Sequence, residues 1–345
     1  METTAAVLIP AYKPDERMLQ LIEALKTLGF SRQIVVDDGN GEDYAPLFEQ
    51  AQSAGAEVLH HPVNQGKGAA LKTGLNHILS THSCPVITVD ADGQHDPKDV
   101  WRVWEKMAGE PEALVLGVRD KTRMPARSKF GNTLTCWTLG AVSGLWIDDT
   151  QTGLRGLPVN ALETFASLKG DRYEYEMGML LAAQKRHMQV EQVVIQTIYI
   201  DDNKGSSFHV LRDSVLIYGM LLRQLIAFLG SSAVTALIDL AIFTVLQIFY
   251  PSLLMVAVMA GRTVSATVNY FINRNLVFHS ASGAKSAARY VALVCVMMIL
   301  SYLIIRALSA LFIPTIVAKI LGDGILLFFN YNVQRRIVFR SRRKK

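Results

Sequence analysis

Val86-Ile87-Thr88-Val89-Asp90-Ala91-Asp92-Gly93-Gln94-His95-Asp96-Pro97 is the stretch that decides the fold. Val86–Val89 is short, apolar and β-branched, which predicts a buried strand. The strand ends abruptly in acids. Strand alternation puts Asp90 and Asp92 on one side of its end. With the amide oxygen of Gln94 they make a set of hard oxygen ligands suited to Mg²⁺ or Mn²⁺. Such ions keep positions open for phosphate oxygens. A solvated acidic turn is the alternative, since Asp and Gly are ordinary turn residues.

Outward from this strand, the chain alternates strands and helices. Strands are predicted at Ala5–Ile9, Gln33–Val36, Glu57–Leu59 and Leu114–Gly117, with a strand-like segment at Val190–Tyr199. Met18, Leu21, Ile22, Leu25 and Leu28 have helical spacing, and helices are also predicted near Tyr44–Ala54 and Ala69–Leu79. That order predicts an α/β fold with a mainly parallel sheet, whose ligands bind at the carboxyl ends of the strands. Asp38, ending the second strand, would accept from a nucleobase N–H or serve as a cap or turn residue. Asn64-Gln65-Gly66-Lys67-Gly68 opens a helix without Walker spacing, so it is either a phosphate-favouring helix start or a plain tight turn.

Four motifs now stand in order: Leu8-Ile9-Pro10-Ala11-Tyr12, Val36-Asp37-Asp38-Gly39, Asn64-Gln65-Gly66-Lys67-Gly68 and Asp90-Ala91-Asp92-Gly93-Gln94-His95. Thr150-Gln151-Thr152-Gly153-Leu154-Arg155 and Glu174-Tyr175-Glu176-Met177 extend them. Together, over roughly residues 5–210, they resemble family 2 glycosyltransferases of the dolichyl-phosphate mannose synthase and polyprenyl-phosphate glucosyltransferase type. The resemblance implies a Rossmann-like GT-A domain, a nucleotide-diphosphate sugar donor, a divalent metal held by Asp90, Asp92 and Gln94, and a polyprenyl phosphate acceptor. It implies donor contacts from Pro10, Ala11, Tyr12, Asp38, Lys67, Asp90 and Asp92, with Lys204 and Ser206 near the donor phosphates. Lys13-Pro14 departs from the family's usual Asn-Glu, with Asp15 or Glu16 as nearby substitutes.

The chemistry leads to the same place. Transfer from a nucleotide sugar needs charge stabilisation of the leaving diphosphate. A lipid phosphate, with a second pKa near about 6, is already largely an anion at neutral pH, so no general base is required. It does need cations. Arg119, Arg123, Arg127 and Lys129 follow the strand ending at Gly117. Arg119, Arg127 and Lys129 are assigned to the acceptor phosphate, and Asp92, Arg119 and Arg127 are the catalytic candidates. A solvated basic loop is the other reading. Arg155 is expected to brace the site by pairing with a carboxylate such as Glu176.

Half of the 345 residues are apolar, and the mean hydropathy is +0.23, high for a soluble enzyme. The excess is concentrated in residues 224–333. Four membrane spans are expected, at Leu225–Gln247, Leu253–Ile272, Tyr290–Leu311 and Thr315–Val333, each close to the ~20 residues a bilayer requires. The net charge of +5 suits an anionic bilayer, and the scattered basic residues disfavour nucleic acid as a partner. Three scattered cysteines, Cys84, Cys136 and Cys295, suggest neither a disulfide framework nor a zinc site. The N-terminal apolar run, Ala5–Pro10, is too short for a signal peptide. Basic residues in the linker from Arg274 to Arg289 and the tail from Arg335 place the catalytic domain and both termini in the cytoplasm.

Asn269-Tyr270-Phe271-Ile272-Asn273-Arg274-Asn275-Leu276-Val277-Phe278 recurs as Asn330-Tyr331-Asn332-Val333-Gln334-Arg335-Arg336-Ile337-Val338-Phe339. The membrane half is therefore read as two duplicated hairpins. Over about residues 222–340 it resembles the GtrA family of small four-helix membrane proteins. Asp239, Arg262, Arg306, Lys319 and Asp323 fall in or near the spans. The expected organisation is a GT-A domain over 1–205, a juxtamembrane amphipathic segment over 206–223 and a membrane domain over 224–345. A helix packed on the catalytic domain is the second reading of the middle segment. The expected activity is transfer of a hexose from a UDP- or GDP-linked donor to polyprenyl phosphate. A lipid-linked-sugar flippase with the GT-A domain as its loading module is the alternative. The sugar, acceptor chain length and homo-oligomeric state are left open.

Overall fold

A computed structural model describes residues 3–122, 124–196, 198, 210–250, 252, 254–278, 284–310, 313 and 315–339. The chain divides into two compact units, Met1–Leu221 and Leu222–Lys345.

The first unit is a three-layer α/β fold. Its elements in order are β1 (Ala6–Ala11), α1 (Glu16–Thr27), β2 (Arg32–Asp37), α2 (Ala45–Ser53), β3 (Glu57–His60), α3 (Lys67–Thr81), β4 (Val86–Thr88), α4 (Pro97–Gly109), β5 (Leu114–Arg119), α5 (Ala126–Ser143), β6 (Arg155–Leu157), α6 (Leu162–Ala166), α7 (Glu174–Lys185) and β7 (Val190–Ile195). The sheet runs β3-β2-β1-β4-β6-β5-β7. All pairings are parallel except those of β6, which is antiparallel to both β4 and β5. The expected mainly parallel sheet is present. The three-residue β6 was not predicted, because it is too short to show a period.

Period-two alternation builds the core. Along β1, Ala6 and Leu8 enter one apolar cluster while Val7 and Ile9 enter the other, on the opposite sheet face. Ile34 and Val36 separate from Val35 in the same way on β2. Each fully buried Val, Leu or Ile contributes about 1.5–3 kcal/mol. Local caps then fix the helix starts. Asp15 accepts from the backbone N–H of Arg17 to open α1, and Asp96 accepts from that of Lys98 to open α4, with Pro97 in the first turn.

The second unit contains most of α8 (Val210–Phe249), then α9 (Leu254–Ile272), α10 (Ala284–Ala310) and α11 (Thr315–Val333). Among the described residues, one stretch, Leu225–Leu246, is long and apolar enough to cross a membrane, and Ser286–Met297 is a shorter apolar stretch. The first turns of α8 belong to the first unit. There Ile217 and Leu221 join its core, and Asp213, fully buried, accepts from Arg172 Nε at 2.9 Å.

The sequence repeat reappears as symmetric geometry within the second unit. α9 and α11 both end in a π-helical turn, at Asn273–Val277 and Gln334–Val338. Asn273 Nδ2 donates to Gln334 Oε1 at 3.0 Å, and the rings of Phe278 and Phe339 stack with centroids 5.3 Å apart. Asn273 and Gln334 are both buried, and Asn273 also donates to Asn269 Oδ1 at 2.7 Å and accepts from Ser231 Oγ at 2.5 Å. The buried amides are therefore satisfied, as burial requires.

Candidate active site

The acidic turn forms where β4 stops. Asp92 Oδ1 accepts from the backbone N–H of Gln94 at 3.0 Å, and Gly93 turns the chain with φ +73°. Asp90, Asp92 and Gln94 are thus held on one tight turn at the carboxyl edge of the sheet. Gly153, before β6, presses its backbone on Asp90, and a Cβ there would overlap the carboxylate. Thr88 Oγ1 donates to Gly153 O at 2.8 Å and locks this approach.

Lys67, the first residue of α3, reaches across to the turn. Its Nζ lies 2.6 Å from Asp90 Oδ1 and 3.0 Å from Glu176 Oε1, and 5.7 Å from the centroid of Tyr173. Burial alone would favour neutral Lys67, but the charges of Asp90 and Glu176 outweigh it and hold the ammonium above its ordinary pKa. Burial would likewise raise Asp90, yet Lys67 and His95 keep it below the usual carboxylate range. Asp92 behaves oppositely. Loss of water around its carboxyl, then the negative charge of Asp90, push its pKa up. His95 is buried, and its Nδ1 has no hydrogen-bond partner among the described residues.

These residues fit a hard divalent cation. Two carboxylates share one turn, and a cation would offset both causes that raise Asp92, the loss of water first and then the repulsion from Asp90. No group of three His, Cys, Asp or Glu side chains suited to a metal occurs among the described residues. An ion here would therefore rely on the two aspartates, the Gln94 amide and oxygens from outside the protein.

The other predicted residues fall into three groups. Pro10 and Ala11 end β1, and Tyr12 stands exposed beyond them with the Lys13 ammonium 5.5 Å from its ring centroid. Asp38 is buried and turned onto the loop that opens α3. It accepts from Gln65 N at 2.9 Å and Gly66 N at 2.8 Å, and meets His61 Nδ1 at 2.8 Å. Both carboxylate oxygens are engaged by residues 23 to 28 positions further along the chain, rather than by a local cap or turn. Asp15, the proposed substitute acid, is taken up by its cap and by Arg17, whose hydrogen bond lowers its pKa.

Arg119 does not stand free for a phosphate. Its Nε and Nη2 bind the buried Asp149 at 2.6 and 3.0 Å. Lys129 is exposed on α5. Arg127 lies in the same helix, but its side chain is outside the described residues, as are Arg123, Lys204, Ser206 and the side chains of Arg262, Arg306, Lys319 and Asp323.

Arg155 braces the site differently from expectation. Fully buried, it donates to the backbone carbonyls of Glu176 at 2.7 Å, Thr152 at 2.9 Å and Thr150 at 3.2 Å. The Glu176 carboxylate is thereby left to Lys67. The glycines of the loop also have a packing reason. A Cβ on Gly66 or Gly68 would run into the backbone of Asp171 and Arg172 or the side chain of Tyr175. The contacts of Gly153 with Asp90 and of Glu176 with Lys67 were not foreseen, although both residues stand in motifs quoted from the sequence.

The Glycosyl transferase family 2 profile matches residues 6–160, and the GtrA/DPMS transmembrane domain profile matches residues 227–339. An uncharacterized protein of Methanocaldococcus jannaschii is 30% identical over 225 residues, which are 64% of this chain and 91% of that protein. The chain belongs to glycosyltransferase family 2. This glycosyltransferase is also 25% identical to the UDP-N-acetylglucosamine–dolichyl-phosphate N-acetylglucosaminyltransferase of Methanococcus voltae, over 64% of this chain and 95% of the relative. It is 29% identical to a dolichyl-phosphate beta-glucosyltransferase of Dictyostelium discoideum, over 61% of this chain and 73% of the relative. The enzyme's acidic turn, Lys67 and Gly153 all lie within the matched family 2 region.

Proposed function

We propose that this glycosyltransferase moves one hexose from a UDP- or GDP-linked donor to polyprenyl phosphate at the cytoplasmic membrane face, with inversion. The product would be a lipid-linked sugar for cell-envelope glycan or protein glycosylation. The observation that carries the reading is the Lys67–Asp90–Asp92–Glu176 cluster at the sheet's carboxyl edge, in a chain that also holds the apolar stretch Leu225–Leu246. The dolichyl-phosphate specificity in the names of both characterised relatives supports the acceptor class. Four spans, with the catalytic domain and both termini cytoplasmic, complete the proposed topology.

An acceptor phosphate oxygen forms a bond to the anomeric carbon as the bond from that carbon to the diphosphate oxygen breaks. The nucleoside diphosphate leaves with the electron pair. The acceptor arrives as an anion, so no side chain needs to take a proton. Asp90, Asp92 and Gln94 would hold Mg²⁺ or Mn²⁺, which when bound would neutralise charge developing on the leaving diphosphate. Lys67 stays protonated, keeping Asp90 ionised and a positive charge beside the leaving group. Pro10, Ala11 and Tyr12 border the donor, with Lys204 and Ser206 assigned to its phosphates. Arg127 and Lys129 are assigned to the acceptor phosphate, while Arg119 fixes the segment preceding them through Asp149.

The test is incubation of purified protein, polyprenyl phosphate and Mg²⁺ or Mn²⁺ with a panel of UDP- and GDP-sugars. The lipid product is identified by mass. A polyprenyl-phosphate hexose is expected, absent when EDTA is added. Transfer to water or to a soluble acceptor alone would overturn the acceptor assignment.

A further inference from the structure

Residues 171–176 hold Lys67 in place. The ring centroid of Tyr173 lies 5.7 Å from Lys67 Nζ, and Glu176 Oε1 lies 3.0 Å from it. The same segment grips the first turns of α3, whose N-cap, Gly66, supplies no side-chain bond. Ala69 N donates to Asp171 O at 3.1 Å, and Lys72 Nζ lies 2.5 Å from Asp171 Oδ1. The segment is also tied within itself, because Glu174 Oε1 accepts from Asp171 N at 3.0 Å and Arg172 N at 3.4 Å. Arg172 then carries the connection outward. Its Nε donates at 2.9 Å to Asp213 Oδ1, 41 positions further along the chain. Asp213 is fully buried in the first turn of α8, the helix that continues unbroken into the apolar run Leu225–Leu246.

We propose that the Arg172–Asp213 pair is a positioning link for the transfer reaction: the seating of α8's first turn on the catalytic unit sets the 171–176 segment, and that segment sets Lys67 beside Asp90. The inference rests on the glycosyltransferase reading above. It adds two determinants that lie beyond the matched family 2 region, residues 6–160. Separating a buried charge from its partner is costly, so α8's first turn and the segment stay together. Ile217 and Leu221 already anchor this part of α8 through apolar burial, and the ion pair adds a directional bond to one side chain of the segment. Lys67 places positive charge beside the leaving diphosphate, a contribution that depends on its exact location. Loss of the link should therefore appear in turnover more than in stability. Transfer is then coupled to the helix that carries the apolar run.

The test uses full-length protein in detergent. The double variant Arg172→Met, Asp213→Leu removes the link without leaving a buried charge. Leu25→Ala, at a fully buried position on α1 in the other apolar cluster, is the control for a general loss of stability. Hydrogen exchange is followed by mass over residues 65–71, and transfer is resolved into kcat and donor KM. The double variant should exchange faster over 65–71, and its kcat should fall by roughly ten- to a hundredfold with donor KM much less affected. Leu25→Ala, assayed below its melting temperature, should do neither. Arg172→Lys, which keeps a cation for Asp213, should retain most of the turnover. Unchanged exchange over 65–71, or an equal rise in the double variant and in Leu25→Ala, would overturn the proposal. So would a raised donor KM at wild-type kcat. Absence of transfer to polyprenyl phosphate by the wild type would remove the functional reading and the link's catalytic role with it; wild-type transfer with an unchanged kcat in the double variant removes the link alone.

Discussion

The backbone of Gly153 lies so close to the carboxylate of Asp90 that position 153 has no room for a Cβ. Gly153→Ala should therefore displace Asp90 without opening the core. Misplacing a catalytic group by about 1 Å costs on the order of a hundredfold in rate. The expected outcome is such a loss in kcat with little change in melting temperature. Near-wild-type turnover would show that Asp90 does not need its present position.

Lys67 neutralises two carboxylates at once, the buried one of Glu176 and the half-buried one of Asp90. Lys67→Met would leave Asp90 and Glu176 uncompensated, at a cost of about 3–5 kcal/mol. Adding Glu176→Gln should recover part of it, which a double-mutant cycle read by thermal unfolding would measure. The pH dependence has a defined sign. Asp90, depressed in the fold, contributes stability above its unfolded pKa of about 3.9 and loses it as pH falls through the folded value. Lys67, raised in the fold, contributes below about 10.4 and loses it as pH rises through the folded value. The contribution of this pair should be flat from about pH 5 to about pH 9.

Asp92→Asn separates chemistry from stability. It removes a carboxylate that Asp90 repels. Without divalent ions the variant should melt slightly above the wild type, and its transfer activity should be lost. Added Mg²⁺ or Mn²⁺ should raise the melting temperature of the wild type and not of the variant. A metal-induced shift of equal size in both would move the ion away from this turn.

Arg119 and Lys129 should respond differently to removal. Arg119→Ala leaves the buried Asp149 uncompensated and should destabilise the fold by about 3–5 kcal/mol, largely relieved by adding Asp149→Asn. Lys129→Ala, at an exposed position, should leave stability unchanged and raise KM for polyprenyl phosphate by roughly tenfold, the worth of one charge-assisted contact. An unchanged acceptor KM with a raised donor KM would reassign Lys129 to the nucleotide sugar.

These residues also mark how far the sequence could be read. The acidic turn was legible because a strand and its ending occupy a few consecutive residues, as were β1, β2 and the repeat. What escaped was set by distant partners. Asp38 looks like a ligand-facing acid until the loop at Gln65 and Gly66 folds over it. Arg119 looks like a phosphate ligand until Asp149, thirty residues on, is brought beside it. The glycines at 66 and 68 read by spacing as a helix start or a tight turn, while their close packing on the 171–175 segment is something no local spacing reveals.

Asn273 meets Gln334, and Phe278 stacks on Phe339, at equivalent places in two copies of one motif. A surface that touches its own counterpart is what a two-fold homodimer presents. The second unit thus carries, within one polypeptide, the contact that two separate hairpins would make with each other. Fusion releases those hairpins from having to be identical. The amide pair can then be unequal, asparagine on one side and the longer glutamine on the other, a combination that a strictly symmetric pair of chains could not encode.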